Sequence, residues 1–304
     1  MKGVILLSGL AGLVILGPPI IIKSRAQHHE VSVTVHEVSH RQVSEAGQSD
    51  CRFESERTLT SAVSSGDNLR LRAGSGSLEV VGVEGLGEVR AVGRACASQE
   101  EFLSDLQITA ETEGSTLVME TQYPDLSGWQ GGNRYARIDL KVEVPAGMAA
   151  DIQDGSGEMA LSGLGSLTVQ DGSGEAVISE IQGDLNIQDG SGGLMIRGVS
   201  GTVMVDDGSG ELTLEDVGSD VEIHDSSGEL DLRRIGGSLT LSDSSGEVLV
   251  QDVMGFVKVI QDGSGGIAVE GVGGDFIVER DGSGEIRFEG VQGTVDIPRK
   301  NRER

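Results

Sequence analysis

The sequence contains few of the residues that build enzyme sites and nucleic-acid surfaces. Its 304 residues include two cysteines, one tryptophan, and 23 lysines and arginines against 49 aspartates and glutamates. It has no Gly-x-Ser-x-Gly elbow, no phosphate loop ending in Lys-Ser or Lys-Thr, and no cysteine pair at zinc spacing. A formal net charge of −26 makes nucleic acid and anionic lipid poor partners, and basic partners or divalent ions the electrostatically reasonable ones.

The first 26 residues predict an export signal. Lys2 precedes an apolar run over residues 4–16, and Ser24-Arg25-Ala26 places small residues at both recognition positions for cleavage after Ala26. The run continues to Ile22, and about 19 apolar residues are just long enough for an uncleaved membrane anchor. We therefore expect a periplasmic or secreted protein. The alternative is that this segment anchors the protein to the inner membrane, which is the one membrane contact that we expect.

The two cysteines, Cys51 and Cys96, both follow the export segment. An even number of cysteines in an oxidising compartment predicts one disulfide, which would close a loop of about 45 residues and stabilise the N-terminal part. Two free thiols would fit only a reducing compartment.

Glycine is abundant, with 47 residues, and it recurs in a fixed turn. Asp-Gly-Ser-Gly, or Asp-Ser-Ser-Gly, returns eight times at steps of 17 to 19 residues, which is the signature of a solenoid. Between the turns, apolar residues spaced by two, such as Leu212 and Leu214, indicate strands with one buried face. We predict an all-β fold, a parallel β-solenoid with coils of about 18 residues. The glycine that ends every turn predicts positive φ or a close backbone approach.

Stacking of these turns would align eight aspartates, which we call the Asp column. Carboxylates about 4.8 Å apart repel each other, so the column needs compensation. Each aspartate could cap its own turn by accepting backbone N–H bonds, as in an Asx-turn. Alternatively, Ca²⁺ could lie between neighbouring coils as the only cofactor. The column consists of Asp154, Asp171, Asp189, Asp207, Asp225, Asp243, Asp262 and Asp281.

Composition divides the chain into five parts. Residues 1–26 are the signal peptide or anchor, 27–50 a linker, 51–150 an N-terminal cap with irregular coils, 151–297 the regular solenoid and 298–304 a basic tail. In the cap, Ser98 with Glu101 three residues later predicts a short helix over residues 98–106. Residues 125–135 depart most from the repeat, and their Trp129 is either a ligand contact or part of a cover over the end of the stack.

Two patterns suggest an enzyme as the alternative function. His36-Glu37-Val38-Ser39-His40 matches the His-Glu-x-x-His zinc-protease pattern, but its flank alternates like a strand, on which the two histidines would be roughly 13 Å apart. Parallel β-helices also include polysaccharide lyases, and Arg233 and Arg234 lie together at a second turn. No third zinc ligand or convergent catalytic set accompanies either pattern, so we expect no enzyme.

Several segments together resemble a known family. The segments 51–53, 69–80, 93–97 and 142–147, followed by the Asp-Gly-Ser-Gly-Glu coils, are similar to the bacterial putative-adhesin family of β-strand-repeat proteins. The resemblance implies an extracytoplasmic, right-handed parallel β-solenoid without an established activity, and it brings no catalytic or binding residues. We therefore expect an exported, non-enzymatic, adhesin-like or structural binding scaffold of the cell envelope, with an envelope protein or glycan as its partner.

Overall fold

The protein is described by a computed structural model that covers residues 20–26, 29–35, 51–125 and 134–298. These residues form 27 strands and one 3₁₀ helix, Glu100–Ser104. The strands are β1 (Ile20–Ala26), β2 (His29–Val35), β3 (Phe53–Ala62), β4 (Asn68–Arg72), β5 (Leu78–Val83), β6 (Glu88–Ala97), β7 (Gln107–Glu113), β8 (Thr116–Gln122), β9 (Ala136–Pro145), β10 (Ala150–Asp154), β11 (Met159–Ser162), β12 (Leu167–Asp171), β13 (Ala176–Ile181), β14 (Leu185–Asp189), β15 (Leu194–Val199), β16 (Val203–Asp207), β17 (Gly210–Val217), β18 (Val221–Asp225), β19 (Gly228–Ile235), β20 (Leu239–Asp243), β21 (Val248–Val253), β22 (Val257–Ser264), β23 (Ile267–Val272), β24 (Phe276–Val278), β25 (Asp281–Ser283), β26 (Ile286–Val291) and β27 (Val295–Asp296).

The coils alternate between two sheets. Sheet 1 has the order β1-β2-β3-β6-β9-β5-β11-β13-β15-β17-β19-β21-β23-β26. Sheet 2 has the order β7-β8-β4-β10-β12-β14-β16-β18-β20-β22-β24-β27, and β25 pairs with β22. From β10 onward, each strand pairs in parallel with the strand one coil away, so Leu212 lies opposite Leu194 and Leu230. The predicted all-β parallel solenoid with coils of about 18 residues is confirmed.

The alternation of side chains builds the core. In β12, Leu167 and Val169 are buried whereas Thr168 and Gln170 are exposed, as the spacing by two predicts. A further apolar residue closes each coil at its second turn, as Val217 does with 2% of its surface exposed. In each coil, therefore, an inner face of aliphatic side chains packs against the coils on either side.

The turns between sheet 2 and sheet 1 bring neighbouring backbones close together. Gly210, the fourth residue of its turn, has a φ of 148°, and a Cβ built there would lie 1.5 Å from the carbonyl oxygen of Gly192. Both parts of the glycine prediction, positive φ and close approach, are confirmed at this position.

The N-terminal part replaces parallel pairing with antiparallel pairing. β3 pairs antiparallel with β6, and β6 with β9, which in turn joins β5 in parallel. The strands β1 and β2 pair antiparallel with each other, and β2 adds to β3. The five-part division of the chain stays a prediction.

The helix predicted from Ser98 is different in the structure. A 3₁₀ helix begins at Glu100, after Gln99, which makes no side-chain cap. Ser98 is buried, and its hydroxyl accepts the backbone N–H of Tyr135 at 3.2 Å. The predicted capping role of Ser98 is therefore wrong, because its side chain bridges to the start of β9 instead.

Candidate functional site

The Asp column faces the interior of the solenoid. Each of the first six aspartates ends a sheet 2 strand two positions after a buried aliphatic residue, as in Val203, Val205 and Asp207 of β16. Alternation therefore turns its side chain inward. The exposed fraction is 1% for Asp207 and at most 8% for any of the first seven members, whereas Asp281 is half-buried.

Three aspartates cap their own turns. In each case Oδ1 accepts the backbone N–H of the serine two residues later: Asp207 from Ser209 at 3.1 Å, Asp225 from Ser227 at 3.3 Å, and Asp243 from Ser245 at 3.0 Å. This is the Asx-turn that the sequence predicts as one alternative. The other oxygen of these carboxylates, Oδ2, is buried and has no hydrogen-bond partner among the described residues.

One turn of the same shape forms without an aspartate. Ala73 occupies the position of Asp154 one coil earlier, and Ser75 pairs with Ser156 across the two turns. There, the backbone N–H of Ser75 donates to the hydroxyl of Tyr123 at 3.0 Å. A turn of this shape therefore forms without a carboxylate charge.

The interior position changes the acidity of the column. Burial is the main cause and neighbouring carboxyls the second: together they raise the pKa of Asp154 to about 6, and those of Asp189, Asp225 and Asp262 to about 7. Burial also raises the pKa values of Asp171 and Asp207. In the described ranges, no three His, Cys, Asp or Glu side chains form a group that could hold a metal ion. Calcium in the column stays a prediction.

A groove runs along the second turns of the C-terminal half. It has a volume of about 1100 Å³ and crosses six successive turns, from Gly198 to Gln292. At about 4.8 Å per coil it is roughly 24 Å long. Its lining includes the glycines Gly218, Gly236 and Gly273, and one wall includes side chains of both charges, Asp216, Arg234 and Asp252.

The charged wall of the groove is built on an unusual backbone. Asp216, Arg234 and Asp252 have φ values of 62°, 55° and 58°. Glu180, which lies outside the groove, has a φ of 57° at the equivalent position, which Gly198 and Gly271 occupy in other coils. Left-handed backbone at a residue with a Cβ costs about 1 kcal/mol. The fold therefore carries side chains at a position where glycine would be easier.

Ion pairs hold the arginines beside the groove. Glu215 lies within 4 Å of three of them: Arg197 at 2.8 Å, Arg234 at 3.2 Å and Arg233 at 3.8 Å. Arg234 also contacts Asp216 at 2.5 Å, and this hydrogen bond lowers the pKa of the exposed Asp216 carboxyl. The two arginines considered for glycan chemistry are thus neutralised by neighbouring carboxylates.

The chain is similar to several solved structures of bacterial proteins. A putative cell adhesion protein from Clostridium sporogenes matches with 15% identity over 80% of this chain and 98% of that chain, at a TM-score of 0.29. A putative adhesin from Parabacteroides distasonis matches with 9% identity over 80% and 97%, at 0.36. A putative lipid binding protein from the same organism matches with 14% identity over 80% and 97%, at 0.49. No family model and no curated protein matches the chain.

The predicted disulfide is present in the cap. Cys51 and Cys96 are bonded, with their Cα atoms 5.4 Å apart, and they join the start of β3 to the end of β6.

Arg57, a residue of β3, is buried against the 3₁₀ helix, with 2% of its surface exposed. Its guanidinium donates to the carbonyls of Leu103 at 2.7 Å and Leu106 at 2.9 Å, and to the hydroxyl of Ser55. This buried arginine was not predicted from the sequence.

Other predicted positions lie outside the described residues. These are Trp129 and the possible zinc-protease residues His36, Glu37 and His40. Among the described residues, no helix is long and apolar enough to cross a membrane.

Proposed function

We propose that this protein is an exported, non-enzymatic binding scaffold of the bacterial envelope, and that the groove along its second turns is the contact surface. The observation that carries the proposal is the groove itself. It repeats with the coil, so it offers equivalent contacts at regular steps to a partner that is also extended. An envelope protein segment or an envelope glycan chain has that form.

The chemistry of the groove supports an extended partner with both polar and apolar groups, because aliphatic side chains such as Val253 and Met254 line it beside the charged wall. Glycines in the lining leave backbone within reach of a ligand, and the wall alternates in charge from Asp216 to Arg234 to Asp252. Export is supported by the N-terminal signal and by the disulfide between Cys51 and Cys96.

The proposal is tested by blocking the groove. The full chain would be applied to immobilised envelope glycans and, separately, to immobilised extended peptides from envelope proteins. Ser200 lines the groove and is exposed, so Ser200→Trp should fill it and reduce binding at least tenfold. Gln170 faces solvent on sheet 2, away from the groove, so Gln170→Trp is the matched control and should bind normally.

Each outcome of this experiment decides between alternatives. Binding to one array only would identify the partner as glycan or protein. Equal loss in both variants, or no binding to either array, would refute the groove as the contact surface. Depolymerised glycan, lost when Arg233 and Arg234 are changed, would show an enzyme. Peptide hydrolysis that is lost in Glu37→Ala would also show an enzyme.

A further inference from the structure

The Asp column contains more buried negative charge than its surroundings compensate. Asp207 lies opposite Asp189 and Asp225 in the sheet, and every carboxyl except the two at the ends of the column has a like neighbour on both sides. Within the described residues, no ion pair includes any of the first seven members. Buried ionised carboxylates without a counter-charge are strongly disfavoured.

Few other charged or titratable groups face the column. At its N-terminal end, Ala73 occupies the next position and the Tyr123 hydroxyl lies at the adjoining turn. Beside Asp225 and Asp243, a recess of about 230 Å³ is lined by Asp206, His224 and Arg280. His224 contacts Glu222 at 3.2 Å, on the outer face of sheet 2. These groups leave the interior carboxyls without paired cations along most of the column.

The hydrogen bonds show that several carboxylate oxygens of the column lack a donor. Where Oδ1 caps a turn, Oδ2 is buried and lacks a donor, and both oxygens of Asp189 and Asp262 lack one when every carboxyl is ionised. The backbone carbonyls of the column already accept from the next coil, as the carbonyl of Asp207 does from the N–H of Ser226. A proton on every second carboxyl would supply the missing donors in place.

A divalent cation fits the column less well. Ca²⁺ takes six to eight oxygen ligands. At Asp207, Asp225 and Asp243 one carboxylate oxygen is used by its own turn, the carbonyls are used between coils, and the described residues contain no three-residue acidic group around one point. Most of the shell between two of these aspartates would therefore have to come from water.

We propose that the Asp column is a proton-binding site, in which consecutive carboxyls share protons and alternate aspartates are protonated at neutral pH. Each protonated carboxyl donates to an ionised neighbour, so the column carries about half of its formal charge. The alternation of pKa values near 7 at Asp189, Asp225 and Asp262 agrees with this arrangement.

This arrangement predicts that the solenoid becomes more stable as the pH falls. The pKa values are raised in the folded chain, from about 3.8 to about 7, so the folded state binds more protons than the unfolded state. The destabilisation from the column is then complete above pH 7. It disappears as the pH falls through 7 toward 4, and the chain becomes more stable.

The test is thermal unfolding of the full chain between pH 4 and pH 8, in EDTA and then in Ca²⁺. Asn cannot ionise, and its amide can donate to a neighbouring carboxylate. The double variant Asp189→Asn/Asp225→Asn should therefore melt several degrees above wild type at pH 8 and lose that advantage by pH 4. Glu158→Gln/Glu229→Gln removes two exposed carboxylates outside the column and should follow the wild-type curve, which controls for net charge.

Parallel curves for the double variant and wild type would overturn the proposal. A Ca²⁺-dependent rise in the melting temperature of wild type, absent in the double variant, would overturn the proposal and show that cations occupy the column. Infrared spectra of the wild-type chain give an independent readout, even if the double variant does not fold. The carbonyl stretch of buried protonated carboxyls should be present at pH 7, and its absence would refute the proposal.

Discussion

The hydroxyl of Tyr123 accepts the backbone N–H of Ser75 at 3.0 Å, in the turn where Ala73 replaces aspartate. The same hydroxyl donates to the carbonyl of Ser75, also at 3.0 Å. In later turns an aspartate carboxylate accepts the equivalent N–H, as Asp207 does from Ser209. Tyr123 therefore ends the Asp column on its N-terminal side, with a neutral acceptor in place of a charged one.

Removing the Tyr123 hydroxyl tests whether it replaces aspartate as the hydrogen-bond acceptor in this turn. Tyr123→Phe leaves the Ser75 N–H without a partner and should lower the free energy of unfolding by about 1 kcal/mol. Ala73→Asp in the same chain would supply the Asx acceptor that other turns use, and should recover most of the loss. Denaturant unfolding near pH 5, below the pKa of Asp154, avoids repulsion between residues 73 and 154. Additive effects of the two changes would show that Tyr123 and Ala73 are not linked.

The repeat predicted the solenoid because every coil has the same alternation, but the inward orientation of the aspartates was not predicted. The signal was present: Leu167, Val169 and Asp171 follow one another at spacing two, so a strand extended by two residues turns Asp171 inward. Aspartate was assigned to the turn because it favours turns. The groove could not be predicted in the same way, since its shape depends on glycines without side chains and on left-handed backbone at Asp216 and Arg234, which follow no side-chain pattern.

The fourth residue of the turn should tolerate far less change than the second. Gly210 has positive φ, and its Cβ would lie 1.5 Å from the carbonyl oxygen of Gly192, so Gly210→Ala should lower the free energy of unfolding by several kcal/mol. Gly208→Ser is the matched control, because Ser226 and Ser244 occupy that position in two other coils. A Cβ at Gly208 would lie 2.4 Å from the carbonyl oxygen of Gly190, but its φ is not positive, so we expect a smaller loss than for Gly210→Ala in denaturant unfolding. Equal losses would mean that positive φ and the closer approach at Gly210 add no cost.

Arg57 should contribute more to the cap than any arginine on its surface. Its buried guanidinium satisfies the carbonyls of Leu103 and Leu106, so Arg57→Ala leaves two buried acceptors without donors and opens a cavity. The expected loss in the free energy of unfolding is about 3 kcal/mol or more. Arg94 is the control, since it lies on the neighbouring strand β6 and pairs with Glu54 at 2.6 Å on the exposed face.

Arg94→Ala should lower the free energy of unfolding by at most about 1 kcal/mol, because water screens an exposed ion pair. Both variants would be followed by denaturant unfolding with the disulfide Cys51–Cys96 intact, so that the covalent link is the same in each. If Arg57→Ala proved as mild as Arg94→Ala, the disulfide and the antiparallel strands alone would hold the cap on the stack. A large difference would assign that role to the guanidinium, which joins β3 to the residues around the 3₁₀ helix.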